Sequence, residues 1–220
     1  MESHQLKRSE ATLSQREALN VIHSTKTFRD RCIIECLYFG GMRVQEVAGP
    51  EVLKRKGRLV EVGGHLFPED FDFERNVIHV RKSKFGKTRT VPFIDVNFRA
   101  DLRQLTRTLK RGEPVFDVKR RMIQLIVQRA AEAAGITNPY SGATHVHPHV
   151  FRHSIARHLK SAGYAAEFIQ KFLGHSSITI TMDTYGTLSL GEMQQMIAQK
   201  TGDYTLVGDA KKIRGELPPN

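Results

Sequence analysis

A tyrosine hydroxyl, two arginines, two histidines and a lysine recur along this chain at positions from which they could break and remake a phosphodiester bond. Tyr185 closes the stretch Leu173-Gly174-His175-Ser176-Ser177-Ile178-Thr179-Ile180-Thr181-Met182-Asp183-Thr184-Tyr185. His149-Val150-Phe151-Arg152 precedes it, and Arg43 lies far upstream. An aromatic hydroxyl attacking phosphorus needs cations around the non-bridging oxygens and a proton donor for the departing oxygen, because negative charge concentrates there in the transition state. This set of side chains offers both.

These residues need a scaffold, and the punctuation of the chain outlines one. Ser14-Gln15-Arg16-Glu17 reads as a capping box opening a helix to about His23, and the apolar residues 28–39 read as a second, buried helix. Gly40-Gly41 ends that helix, which leaves Arg43 at the head of a short helical segment, where a side chain can be aimed into a cleft. Residues 72–92 read as a β-ribbon, with Val77-Ile78-His79-Val80 going up, Phe85-Gly86 turning and Arg89-Thr90-Val91-Pro92 returning. Helices are predicted over residues 96–110, 118–134, 148–162, 165–173 and 178–185, each bounded by Gly, Pro or Ser. Residues 190–199 form a further amphipathic helix with Met193, Met196 and Ile197 on one face. The expected class is therefore α+β, mainly α-helical, with a small antiparallel β-ribbon or sheet.

Composition sets the kind of partner. Among 220 residues, 34 Lys plus Arg against 23 Asp plus Glu leave a net charge of +11, which favours a polyanion such as nucleic acid. Cys32 and Cys36 lie four apart in an apolar stretch and read as core thiols. No apolar run approaches membrane-spanning length and the start lacks the apolar core of a secretion signal, so the expected place is the cytoplasm, with the nucleoid. His145, His147, His149 and His153 raise a zinc reading. Val150 stands where a helical zinc-enzyme pair carries Glu, and Arg152 places a fixed cation beside the ligands, so no metal is assigned and no cofactor is expected.

The chain resembles the catalytic domain of tyrosine recombinases, the phage integrase family. Gly41-Met42-Arg43-Val44-Gln45-Glu46-Val47 is similar to the segment with that family's first catalytic arginine, and Ser83-Lys84-Phe85-Gly86-Lys87-Thr88-Arg89-Thr90-Val91-Pro92 to the hairpin with its lysine. His149-Val150-Phe151-Arg152-His153 and Leu173-Gly174-His175-Ser176 resemble its two histidine motifs, and Tyr185 stands at the nucleophile's usual distance. The resemblance implies that Tyr185 forms a 3′-phosphotyrosyl bond, that Arg43 and Arg152 clamp the phosphate, and that Lys84 protonates the leaving 5′-oxygen. His149 and His175 would bind the phosphate or move the tyrosine's proton, and Glu46 would orient a catalytic cation. Alternation alone does not choose among Lys82, Lys84 and Lys87; the position before the turn favours Lys84. Arg81, Lys82, Lys87 and Arg89 are candidates for tracking the DNA backbone.

The implied activity is site-specific recombination of double-stranded DNA by four protomers, with the segment around Met193, Met196 and Ile197 either exchanged between protomers or folded on its own core. Alternatives are a topoisomerase-like nicking and resealing enzyme and a catalytically silent DNA-binding regulator. Residues 1–202 are expected to form the catalytic domain and residues 203–220 a polar tail. The separate N-terminal core-binding domain usual in the family is expected to be absent, since there is no room for it before Ser14. Residues 49–64, rich in Lys, Arg and Gly, lengthen the usual link between the arginine segment and the ribbon.

Overall fold

The computed structural model describes residues 12–55, 57–62, 64–80, 88–137 and 145–174, together with Gln194 and Ile197. Helix α1, Gln15–His23, opens at the expected capping box: the Ser14 hydroxyl accepts from the Glu17 N–H while the Glu17 carboxylate accepts from the Ser14 N–H at 2.7 Å. Helix α2, Phe28–Tyr38, begins at Thr27, whose hydroxyl accepts from the Asp30 N–H. Every residue from Cys32 to Tyr38 is buried, because α2 is surrounded by other helices. Both cysteines are free and buried, as expected of core thiols.

Gly41 then turns the chain with φ +53°, and a Cβ there would stand 2.9 Å from both Phe172 and Leu173. Glycine is required twice over, for the left-handed turn and for the close approach of a distant helix. Helix α3, Val44–Val47, follows at once. Residues of the lengthened link form a two-stranded antiparallel hairpin, β1 Glu51–Arg55 and β2 Arg58–Val62, with Gly57 at φ +79° in the turn. Its base is tied to the chain ahead of the fifth helix, where Gly49 N–H donates to the Val118 carbonyl at 2.9 Å and the Lys119 ammonium to the Pro50 carbonyl at 3.0 Å.

The predicted ribbon is a three-stranded antiparallel sheet, β3 Phe71–Asp72, β4 Val77–Val80 and β5 Arg89–Pro92, in the order β3-β4-β5. Val80 faces Arg89 and Ile78 faces Val91 across it. Helix α4, Val96–Thr106, is capped by the Asp95 carboxylate, which accepts from the Asn97 and Phe98 N–H groups. Helix α5, Arg120–Ala133, and helix α6, Pro148–Ser161, complete the packing around α2, and helix α7, Ala166–Leu173, packs on α6 and β5.

A run of aromatic contacts fixes α6 relative to the sheet. Phe73 stacks on Phe93 at 5.7 Å, Phe93 meets Phe98 at 5.4 Å, Phe98 stacks on Phe39 at 5.9 Å, Phe39 meets Tyr38 at 4.8 Å, and Tyr38 meets Phe151 at 6.4 Å. Each such pair adds about 0.5–1.5 kcal/mol beyond its area burial. The run ends beside Arg152, so the core that stabilises the fold also sets the height of that side chain. Residues 178–185 lie outside the described residues, as do Met193 and Met196. Ile197 is helical and fully buried in this chain's own core.

Candidate active site

Glu46 is the centre of the site. Its side chain is 1 % exposed, and among the described residues its carboxylate accepts three hydrogen bonds. One oxygen accepts from Arg43 Nη1 at 2.9 Å; the other accepts from the Arg43 backbone N–H at 2.7 Å and from Arg89 Nη2 at 2.7 Å. The short helix α3 makes this possible, because residues three apart on one turn face the same way. Arg152 projects into the same space from α6, its guanidinium donating to the Gly41 and Leu173 carbonyls.

The arginines meet a second common partner. The last carbonyls of α7 point out of the helix without intrahelical partners and carry its negative end. Arg89 Nη1 donates to the Phe172 carbonyl, Arg152 Nη2 to that of Leu173, and Arg43 Nη2 to that of Gly174 at 3.0 Å. Three consecutive carbonyls are thus held by three guanidinium groups from a loop, a strand and a helix. Gly174 takes φ +62°, which ends α7.

Among the described residues, three guanidinium groups around one carboxylate leave an excess of two positive charges. Burial and the charges of Arg89 and Arg43 push the Arg152 guanidinium down to about 9, against the pull of Glu46. It stays charged near neutral pH, in surroundings that an added anion would relieve. Burial alone would raise the Glu46 carboxyl, but the charge and hydrogen bond of Arg89, the Arg43 N–H and the charge of Arg152 hold it below the usual range. His149, at the start of α6, is lowered by burial first and then by His153, Arg152 and Arg43, so its imidazole is neutral near pH 7. The site combines fixed cations for phosphate oxygens with one neutral ring able to accept a proton.

The sequence pattern of the phage integrase family matches residues 58–190, a span that holds Lys84, His149, Arg152, His175 and Tyr185. The chain belongs to the phage integrase family. Among its relatives, the tyrosine recombinase XerA of Pyrococcus horikoshii is 24 % identical over 207 residues, covering 90 % of this chain and 64 % of the relative. The tyrosine recombinase XerC of Myxococcus xanthus is 32 % identical over 189 residues, covering 76 % of this chain and 53 % of the relative. The chain therefore spans between about half and two thirds of the length of these relatives. A crystal structure of XerA recombinase shares the fold with a TM-score of 0.59 at 23 % identity, over 90 % of this chain and 66 % of that one. The lambda integrase catalytic core gives 0.53 at 19 % identity, over 75 % of this chain and 91 % of that one.

For this integrase-family chain, the structure unites Arg43, Glu46, His149 and Arg152, although Arg43 and Glu46 precede the matched span. Lys84, His175 and Tyr185 lie outside the described residues, as do Arg81, Lys82 and Lys87. Arg89, expected as a candidate for tracking the DNA backbone, lies among the described residues. Its side chain is 9 % exposed and turned inward onto Glu46 and α7, which removes it from a backbone-tracking surface. The reason is strand parity: Arg89 shares a face of β5 with Val91, fully buried, and lies opposite Val80, 2 % exposed. Attention to Val91 would have found it; the crowd of cations at the hairpin hid it.

Proposed function

We propose that this protein is a site-specific DNA recombinase that cuts and rejoins duplex DNA through a covalent bond to Tyr185. The observation that carries this reading is the convergence of Arg43 and Arg152, 109 residues apart in sequence, on one helix end, with the buried Glu46 carboxylate bound to Arg43 and acting on Arg152 through its charge, and with neutral His149 beside them. The two guanidinium forks hold the non-bridging oxygens of the scissile phosphate and stabilise the charge that develops on them. The Tyr185 oxygen bonds to phosphorus, the bond from phosphorus to the 5′-oxygen breaks, and a 3′-phosphotyrosine and a free 5′-hydroxyl result. The phenolic proton passes to His149 or His175, and Lys84 supplies the proton taken up by the 5′-oxygen. Attack by a different 5′-hydroxyl reverses these steps and joins the new strand without ATP.

Duplex DNA is the partner this reading requires, and the net charge of +11 supports it. XerH recombinase, which shares the fold with a TM-score of 0.55, has been seen bound to its difH substrate before cleavage. Four protomers on two duplexes would complete an exchange, with the helix that contains Ile197 docked on its own core or passed to a neighbour.

The test uses a pool of nicked duplexes with a randomised central sequence, in which the piece carrying the 5′-hydroxyl diffuses away after cleavage. The protein should form an adduct with DNA that resists denaturant, and sequencing the trapped DNA would report its site preference. Arg43→Lys and Arg152→Lys should each lower adduct formation by about 10²–10³-fold while retaining most DNA binding, since a single ammonium cannot reproduce the fork. Adduct formation at the wild-type rate in either variant would remove that arginine from the site.

A further inference from the structure

We propose that Arg89 is the positioning residue of this site, a brace that locks the Arg43–Glu46 pair to the end of α7 and so fixes the two phosphate-binding arginines relative to each other. The inference rests on the recombinase reading above and adds a residue to it. One guanidinium spans three separate pieces of chain. Nη2 binds the Glu46 carboxylate at 2.7 Å and lies 3.5 Å from the Gly41 carbonyl in the turn after α2, and Nη1 binds the Phe172 carbonyl in α7.

Those pieces are the ones that aim the other two arginines. Arg43 is held by Glu46 and Gly174, and Arg152 by Gly41 and Leu173, so each of these partners is either bound by Arg89 or lies within two residues of Phe172, which is. The side chain packs closely against the end of α7: a Cβ on Gly174 would stand 2.5 Å from Arg89 Cδ. A side chain at position 174 would collide with the brace, which gives this glycine a packing reason besides its backbone conformation. With 9 % of its side chain exposed and its donors turned inward, Arg89 acts on the substrate through Arg43 and Arg152.

The brace also sets the charge of its partner. Among the described residues, the groups facing Glu46 are Arg43 on its own segment, Arg89 on β5 and Arg152 on α6. Without Arg89, burial would act on the Glu46 carboxyl less opposed and move its titration upward. Cleavage would then fail at a higher pH than in the wild type, because a protonated Glu46 no longer orients Arg43.

The experiment compares wild type, Arg89→Lys and Arg89→Gln in single-turnover adduct formation at saturating nicked duplex, from acid to neutral pH, with DNA affinity measured in parallel. Arg89→Gln should lose about 10²-fold in rate at neutral pH with DNA affinity within about threefold, as for a small misplacement of reacting groups. Its acidic limb should move to higher pH, and Arg89→Lys should recover part of both effects. In a Glu46→Gln background, Arg89→Gln should add little further loss, since the two act as a unit. A wild-type rate and pH profile in both variants would overturn the proposal, as would a loss of rate with an unmoved acidic limb, which marks a merely structural residue. If Arg89→Gln fails to fold, the rate and acidic limb of Arg89→Lys decide. Absence of any adduct in the wild type would defeat the recombinase reading itself, a different result from a normal adduct in the Arg89 variants.

Discussion

Replacing Glu46 by Gln tests how much of this fold is held together by the candidate site. The carboxylate is 1 % exposed and touches two guanidinium groups at 2.9 and 2.7 Å. At an effective dielectric of about 20 and a charge separation of about 4 Å, each pair is worth about 4 kcal/mol before desolvation is subtracted. Removing one partner of such a buried group leaves the others uncompensated and costs about 3–5 kcal/mol net. For a chain of this size, each kcal/mol moves Tm by about 2–4 °C, so Glu46→Gln should melt about 6–20 °C below wild type near neutral pH. The sign of the pH dependence follows from the depressed folded-state carboxyl. Its contribution is present above the unfolded value of about 4.3 and is lost as pH falls through the lower folded value, so the gap in Tm should narrow as the pH falls below about 4.3. Calorimetry of both proteins across that range measures it. A gap below about 2 °C near neutral pH, or one that stays constant as the pH falls, would refute the charge knot.

Two further outcomes concern the scaffold. Burial and the negative charge of Asp101 push the Glu35 carboxyl up to about 8, with Arg31 opposing, so the folded protein retains a proton there that the unfolded chain has lost. Stability should fall as pH rises from about 4.3 toward 8, and Glu35→Gln should flatten that fall in thermal melts; parallel curves would exclude this assignment. Ser154, fully buried on α6, accepts from the Leu13 N–H at 2.8 Å and ties the start of the described chain to that helix. Ser154→Ala leaves a buried donor unpaired and should cost about 1–3 kcal/mol in urea unfolding, with no loss meaning that the donor finds another partner.

Much of the site's framework is legible in the residues themselves. Ser14 and Glu17 state a helix start, Gly40-Gly41 states its successor's end, and the position of Arg43 after that turn already implies a side chain aimed inward. These signals are local, within a few residues, and local chemistry decides them. What escapes is set by partners distant in sequence. Glu35 is buried in an apolar helix because Arg31 meets it at 3.0 Å and also reaches Asp101 at 2.7 Å, on α4. The link between Arg43 and the sheet reads as a basic excursion, yet Gly57 and the flanking residues fold it into a paired hairpin. Arg89 is the instructive case, since its charge pointed to the surface while its parity with Val91 pointed inward, and the carboxylate waiting there decided the outcome.

The most direct test of the account is the chemical identity of the bond between protein and DNA. Digesting the trapped adduct with protease and nuclease and sequencing the product by mass spectrometry should find a nucleotide joined through its 3′-phosphate to the peptide containing Tyr185, and Tyr185→Phe should give none. A nucleotide carried on any other residue, a linkage through a 5′-phosphate, or an undiminished adduct in Tyr185→Phe would contradict it.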